Sequence, residues 1–242
     1  MEHEPDHGAD DSGGPVAIYG EGVGDVLPLF PLANVLFPEM LMPLHVFEPR
    51  YRLLVQRCLE ERTPFGIVLI QGGEETEPGA VPHRVGTEAE IVAHAPLGDG
   101  RSLITVRGGR RFEIEQVVPD EEPYLIGRVR YLEDPPEGQI RPLAEAVADA
   151  YADYLVGVAA ATGDLRRDVA TVDELRDGSP CDVSFRVAAG LAIEDDERQT
   201  LLAAASARER LVREREILSR ESALLSEMLI RMRARGEGPV LH

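Results

Sequence analysis

The chain has 242 residues, 43% hydrophobic and 29% charged, the balance of an ordinary globular protein. Its formal charge is −19, all 25 basic residues are arginine, and lysine is absent. Within these residues that absence excludes a phosphate-binding P-loop, Schiff-base chemistry and a Ser-Lys dyad, each of which needs a lysine amine.

The charge is spread as −6 over residues 1–24, −5 over 25–132 and −8 over 133–242. No segment is net basic, so a nucleic-acid backbone is disfavoured as a partner. No apolar run reaches the roughly eighteen residues that a membrane-spanning helix needs, and no membrane partner is expected. Cys58 and Cys181 are far apart and belong to no CxxC, and the six histidines show no HxxxH or HExxH spacing. A disulfide framework, a metal or another cofactor is therefore not expected, and two ordinary thiols suit a reducing cytoplasm.

Residues 1–24 are rich in Gly, Pro, Asp and Ser and read as a disordered acidic leader. They lack an apolar core behind basic residues, so they do not form a secretory signal. From Asp25 the texture changes to short branched and aromatic runs: VLPLFPL, MPLHVF, FGIVLI, GTEAEIVAHAP, RSLITVRGG, RRFEIEQVV and YLIGRVRYL. Separated by Gly, Pro and Asp, they predict six or seven strands. Ile104 and Val106 alternate with Thr105 and Arg107, and Phe112 and Ile114 alternate with Glu113 and Glu115. Gly108-Gly109 between those two pairs predicts a tight hairpin turn.

The segment MPLHVFEPRY gathers His45, Glu48, Arg50 and Tyr51, all residue types that catalyse reactions elsewhere. Pro49 suits the first position of a helix, and Tyr51, Leu54, Val55, Cys58 and Leu59 form one apolar stripe behind it. Thr63-Pro64 ends that helix. No nucleophile accompanies the group, so the segment reads as a strand handing over to a helix.

EDPPEGQ, residues 133–139, marks a boundary between a β-rich unit over 25–134 and a helical bundle over 140–235, with a flexible tail at 236–242. Leu143, Val147, Tyr151, Tyr154 and Val158 stripe a first helix. PCDVSFRVAAGL and EDDERQTLLAAA predict two short ones. The last segment is long and places Leu211, Leu218, Leu225 and Met232 seven residues apart. Its companion positions, Arg208, Arg215, Ser222 and Leu229, are mostly polar, which favours a helix packed on a bundle over a coiled-coil seam.

The run LPLFPLANVLFPEMLMPLHVFEPRYRLLVQRCL, followed by FGIVLI, HRVGTEAEIV, DGRSLITVRGGRRFEI and PYLIGRVRYLED, resembles the Lon N-terminal (substrate-binding) domain family. DVSFRVAAGLAIEDDERQTLL and the long last helix are similar to that family's C-terminal bundle. One departure is FPEM, where the family usually has a glycine after FP, so the turn at Glu39 is expected to differ. The resemblance implies an α+β fold: a PUA-like, mostly antiparallel pseudo-barrel followed by a C-terminal helical bundle. It also implies a bacterial module that captures protein substrates, here like the stand-alone members without ATPase and protease modules.

The leading reading is a non-catalytic, cytoplasmic binding protein for unfolded or partly exposed polypeptide segments, an adaptor or regulator of proteostasis. A separate protease and further copies of the chain remain open as partners. NVLFPEMLMP places Phe37, Met40 and Met42 near prolines, a candidate peptide-binding loop because methionine is flexible and polarizable. A core role for the same side chains is the competing reading. Two alternatives remain: a hydrolase of unknown type built on Ser102, Ser179 or Ser184, and an RNA binder using Arg107, Arg110 and Arg111. No GxSxG frames the serines, and the net charge weighs against RNA.

Overall fold

Alternating apolar and polar residues from Asp25 onward give a sheet that curls back on itself. The structure is a computed structural model and describes residues 25–71, 81–118, 122–136, 138–163, 175 and 177–234. The expected leader at 1–24 and tail at 236–242 lie outside the described residues. The strands are β1 (Asp25–Leu32), β2 (Leu41–Val46), β3 (Phe65–Leu69), β4 (Val85–Pro96), β5 (Ser102–Val118) and β6 (Leu125–Leu132). Helix α1 (Pro49–Glu61) follows β2. Then α2 (Arg141–Thr162), α3 (Pro180–Gly190), α4 (Asp195–Leu202) and α5 (Ala207–Ala234) complete an α+β fold.

The sheet order is β2-β5-β4-β3-β1-β6, and β6 pairs back onto β5. Five strands therefore close into a barrel, while β2 hangs on the first half of β5 as an extension outside it. Only β1 and β3 run parallel; the other pairs are antiparallel.

The hairpin expected at Gly108-Gly109 does not exist. Both glycines lie inside the single 17-residue strand β5, so the two predicted runs are one strand and the barrel unit has six. Glycine is needed at 108 for proximity rather than for a turn. A Cβ there would stand 2.0 Å from the Phe37 carbonyl oxygen, because the 37–40 turn lies directly on the strand. Glu39 N–H donates to the Gly108 carbonyl at 2.8 Å, and Gly108 N–H donates to the Met40 carbonyl at 2.9 Å. Glu39 itself adopts φ 61°, a left-handed conformation that costs a glycine less.

Helix α1 follows its sequence pattern. Pro49 occupies the first turn, Tyr51, Leu54, Val55 and Cys58 are buried, and Arg62 ends the helix in a left-handed conformation at φ 55°. The buried stripe closes the barrel core against Phe30, Phe65, Ile104 and Val106, with the Phe30 and Tyr51 rings stacked 4.0 Å apart. Burial pushes the Cys58 thiol up. A second core joins Val35, Phe37 and Leu69 from the barrel unit to Val147, Tyr154, Leu201 and Leu211 from the helices. The β-rich and helical parts thus share one hydrophobic core instead of meeting at a wet boundary.

The long last helix packs on the bundle. Leu211 and Leu218 are buried, while beyond Leu218 the same helix carries exposed Leu224, Met228 and Ile230.

Two backbone positions give opposite expectations. Gly108→Ala forces the Phe37 turn off the strand and should lower stability by about 2–4 kcal/mol in denaturant unfolding. Glu39→Gly relieves a left-handed residue and should raise it by about 1 kcal/mol.

Candidate functional site

On β2, the period of two sends Met42 and Val46 inward and leaves Leu41, Pro43 and His45 exposed. Register places Leu41, Pro43 and His45 opposite Arg107, Thr105 and Leu103 of β5, and Thr105 and Leu103 opposite Ala93 and Ala95 of β4. Leu41 is 56% exposed, Leu103 49%, and Phe47 just past the strand 50%. The Phe47 ring lies 5.6 Å from that of His45. Between the strands lies a groove of about 470 Å³ floored by Pro43, Leu103, Ala93 and Ala95. No residue from Met40 to Phe47 is an acid or an arginine. In a chain of net charge −19 the exposed side of β2 is thus an uncharged apolar strip, bordered at its Leu41 end by Arg107 and Glu90.

The three residues singled out in sequence do not share that face. Phe37 is fully buried, Met42 is buried on the opposite side of β2, and Met40 is half-buried against both cores. Met42 lies one residue out of register with the exposed positions, and in a strand one residue changes the face. In this conformation Phe37 and Met42 support the sheet and offer no surface to a client.

The arginines proposed for RNA separate as well. Arg107 is exposed, while Arg110 stacks 3.5 Å over the Tyr131 ring and pairs with Glu88. The Tyr131 hydroxyl donates to the same Glu88 carboxylate at 2.7 Å, and burial raises its pKa. Arg111 is buried and donates to the Leu202 and Ala204 carbonyls at 2.7 and 2.8 Å, closing the C-terminal end of α4. These three side chains do not form one nucleic-acid face.

The other Arg111 amino group binds Asp134 in the expected linker. The second carboxylate oxygen of Asp134 accepts from Arg210 at 2.5 Å and from the Cys181 thiol at 3.3 Å. Arg210 is wholly buried, donates to the Ser184 hydroxyl at 2.8 Å, and stacks 3.6 Å over Phe185. Burial and the neighbouring Asp134 push the Cys181 thiol up to about 11, so it stays a thiol and a donor. One turn further along α5, Glu214 is fully buried, and neither of its oxygens finds a hydrogen-bond partner among the described residues. Burial holds this carboxyl well above its usual range, with the charge of Arg210 acting against the shift.

A third buried arginine, Arg198 on α4, works in parallel. It donates to the Leu191 carbonyl at 3.1 Å and to the Val35 carbonyl at 3.3 Å, tying the end of α3 to the turn before β2. Gln199 beside it donates to the Val85 carbonyl at 2.9 Å. Nothing in the sequence pattern around these arginines distinguishes them from solvated ones.

The candidate serines have structural duties. Ser179 caps α3 in a reciprocal arrangement with Asp182, Ser184 binds Arg210, and Ser102 is buried in β5. None is paired with a histidine among the described residues. No group of three or more His, Cys, Asp or Glu there is placed to hold a metal, and no described helix is long and apolar enough to cross a membrane.

A family model, the ATP-dependent protease La (LON) substrate-binding domain, matches residues 26–220. The chain belongs to that family. It is similar to the Lon protease of Parabacteroides distasonis, 27% identical over 207 residues, 85% of this chain and 25% of that protein. It is also similar to the Lon protease of Anaeromyxobacter dehalogenans, 35% identical over 124 residues, 50% of this chain and 15% of that protein. The chain thus spans a quarter or less of the length of these curated relatives. Among solved structures it resembles a Lon N-terminal domain protein from Xanthomonas campestris, with TM-score 0.57 and 27% identity, covering 78% of this chain and 95% of that one. The fold also matches the N-terminal domain of a Mycobacterium avium complex Lon protease, with TM-score 0.60 and 16% identity, covering 82% and 98%.

For this Lon-type domain the buried charges give two expectations. Asp134→Ala strands two buried guanidinium groups and should cost about 3–5 kcal/mol, whereas Asp134→Asn, which keeps the shape and one acceptor, should cost less. Glu214 has a folded-state pKa above its unfolded one, so the unfolded chain sheds this proton first as pH rises. Its stabilising share is complete below the ordinary glutamate range and is lost as pH climbs toward the folded pKa. Glu214→Gln should therefore gain in melting temperature relative to the parent as pH rises above the ordinary glutamate range, and a constant difference would contradict this.

Proposed function

We propose that this chain is a non-catalytic polypeptide-binding module and that the apolar face of β2, β5 and β4 receives the client. The observation that carries the reading is the half-exposure of Leu41, Phe47 and Leu103 along one stretch of sheet whose groove is lined by Leu103 and by no acid or arginine. Exposed apolar area of this kind marks a binding surface more often than bare solvent-facing sheet. The family match supports the same reading, because its name describes a substrate-binding domain of a protease.

In this reading the module acts in the cytoplasm as an adaptor or regulator of proteostasis, presenting unfolded segments to a Lon-type protease. ATP hydrolysis and peptide cleavage are assigned elsewhere, since without a lysine these residues cannot supply a P-loop or a Ser-Lys dyad. Two unbridged cysteines fit a reducing compartment.

The test pairs a binding isotherm with a melting curve, using casein as the unfolded client. Leu41→Ser with Leu103→Ser should weaken binding by about tenfold or more and leave the melting temperature nearly unchanged, because exposed anchors contribute to affinity and little to the core. Phe37→Ser should do the reverse and lose several kcal/mol of stability, about 3–5 for a buried aromatic. Full binding by the Leu41/Leu103 variant would place the client site elsewhere.

A further inference from the structure

The face described above ends on an unused strand edge. β2 is the last strand of the sheet, and among the described residues its outer side pairs with no other strand. The phase of its ladder follows from the Gly108 N–H to Met40 carbonyl bond. Met40 and Gly108 are a hydrogen-bonded pair, so Met42, Leu44 and Val46 are also turned toward β5 through the continuous register. The N–H and C=O groups of Leu41 and His45, and the C=O of Pro43, therefore point away from the sheet.

Pro43 occupies one of those outward positions, where its missing N–H removes no bond from the ladder. Such a proline discourages two flat edges from zipping together. It still leaves donors and acceptors at Leu41 and His45, four residues apart and flanking a free carbonyl. That is a short template for one extended chain.

We propose that β2 takes up its client by strand addition: an extended, apolar polypeptide segment with basic flanks pairs along Leu41–His45. The inference rests on the polypeptide-binding reading above and specifies how the same face is used. Backbone pairing supplies affinity without regard to sequence, which a receptor for unfolded chains requires, and alternate side chains of the added strand fall beside Leu41 and Phe47. The basic flanks follow from charge. The stretch from Met40 to Phe47 is uncharged, the whole chain carries −19, and exposed Glu39 and Glu90 outnumber Arg107 at the Leu41 end. An arginine or lysine beside the apolar core of the client is drawn to that surround, and an acidic flank is repelled.

The experiment uses the full chain and a synthetic dodecapeptide alternating valine and threonine, with arginine at both ends. Amide hydrogen exchange is followed at Leu41 and His45, with a glutamate-flanked peptide and casein in parallel. Both amides should exchange rapidly in the free protein and slow markedly on addition of the arginine-flanked peptide, with weaker binding for the glutamate version. His45→Pro, which deletes one outward donor and no ladder bond, should weaken binding about fivefold to tenfold with little change in melting temperature. Binding without protection of these two amides would overturn strand addition while leaving a polypeptide-binding face intact. No binding of peptide or casein would overturn both. Slow exchange at Leu41 and His45 before any peptide is added would show the edge already covered, by the residue 1–24 segment or a second copy, and would overturn the proposal for a client.

Discussion

The carboxylate of Asp134, held between Arg111 and Arg210, is the interaction on which the rest of the structure depends. It lies in a segment whose prolines and acids read as a solvated linker, yet its side chain is only 9% exposed and both oxygens are engaged. Arg111 reaches it from the barrel and Arg210 from the last helix. A buried ion pair is a poor source of net stability, because desolvation offsets much of the Coulombic gain. Its effect here is positional. Each guanidinium group also satisfies something else, Arg111 the end of α4 and Arg210 the Ser184 hydroxyl, so the cluster can be completed in one arrangement of barrel and bundle.

The short helices depend on the same economy. Neither α3 nor α4 has a glycine at its C-cap; Leu191 and Ala203 stand there. The exposed C-terminal carbonyls are met instead by Arg198 and Arg111, whose positive charge also suits the negative end of a helix. Burial lowers the pKa of both guanidinium groups, and both remain charged at any ordinary pH. With α1 packed on the barrel core and α4 lying against β4, the β2 extension stands outside the closed barrel. The apolar face proposed for the client exists because β2 lies outside the closed barrel.

Local patterns were legible in the sequence. The stripe of Tyr51, Leu54, Val55 and Cys58 after Pro49 predicts α1 because all its determinants lie within one helix. The same holds for α2 and for the polar companions that keep α5 from being a seam. Gly108-Gly109 misleads because a glycine required for close approach and one required for a turn look alike until the opposing chain is known. The Arg111, Arg198 and Arg210 contacts were illegible for a related reason: their partners lie 91, 163 and 76 residues away. At the candidate loop, Phe37 and Met42 are the more conspicuous side chains in the sequence, yet the 37–40 turn buries Phe37 and the pleat of β2 turns Met42 inward, leaving Leu41 and Leu103 exposed.

The central claim is that the Asp134 clasp makes barrel and bundle one cooperative unit. Native-state hydrogen exchange of the full chain, resolved by segment, measures it directly. The slowest amides of β4 and β5 and those of α3 and the first half of α5 should open with the same free energy, and Arg210→Met should lower both sets by the same amount. If the helices open at a distinctly lower free energy while the barrel stays protected and is untouched by Arg210→Met, the two parts fold separately and the clasp does not govern the fold.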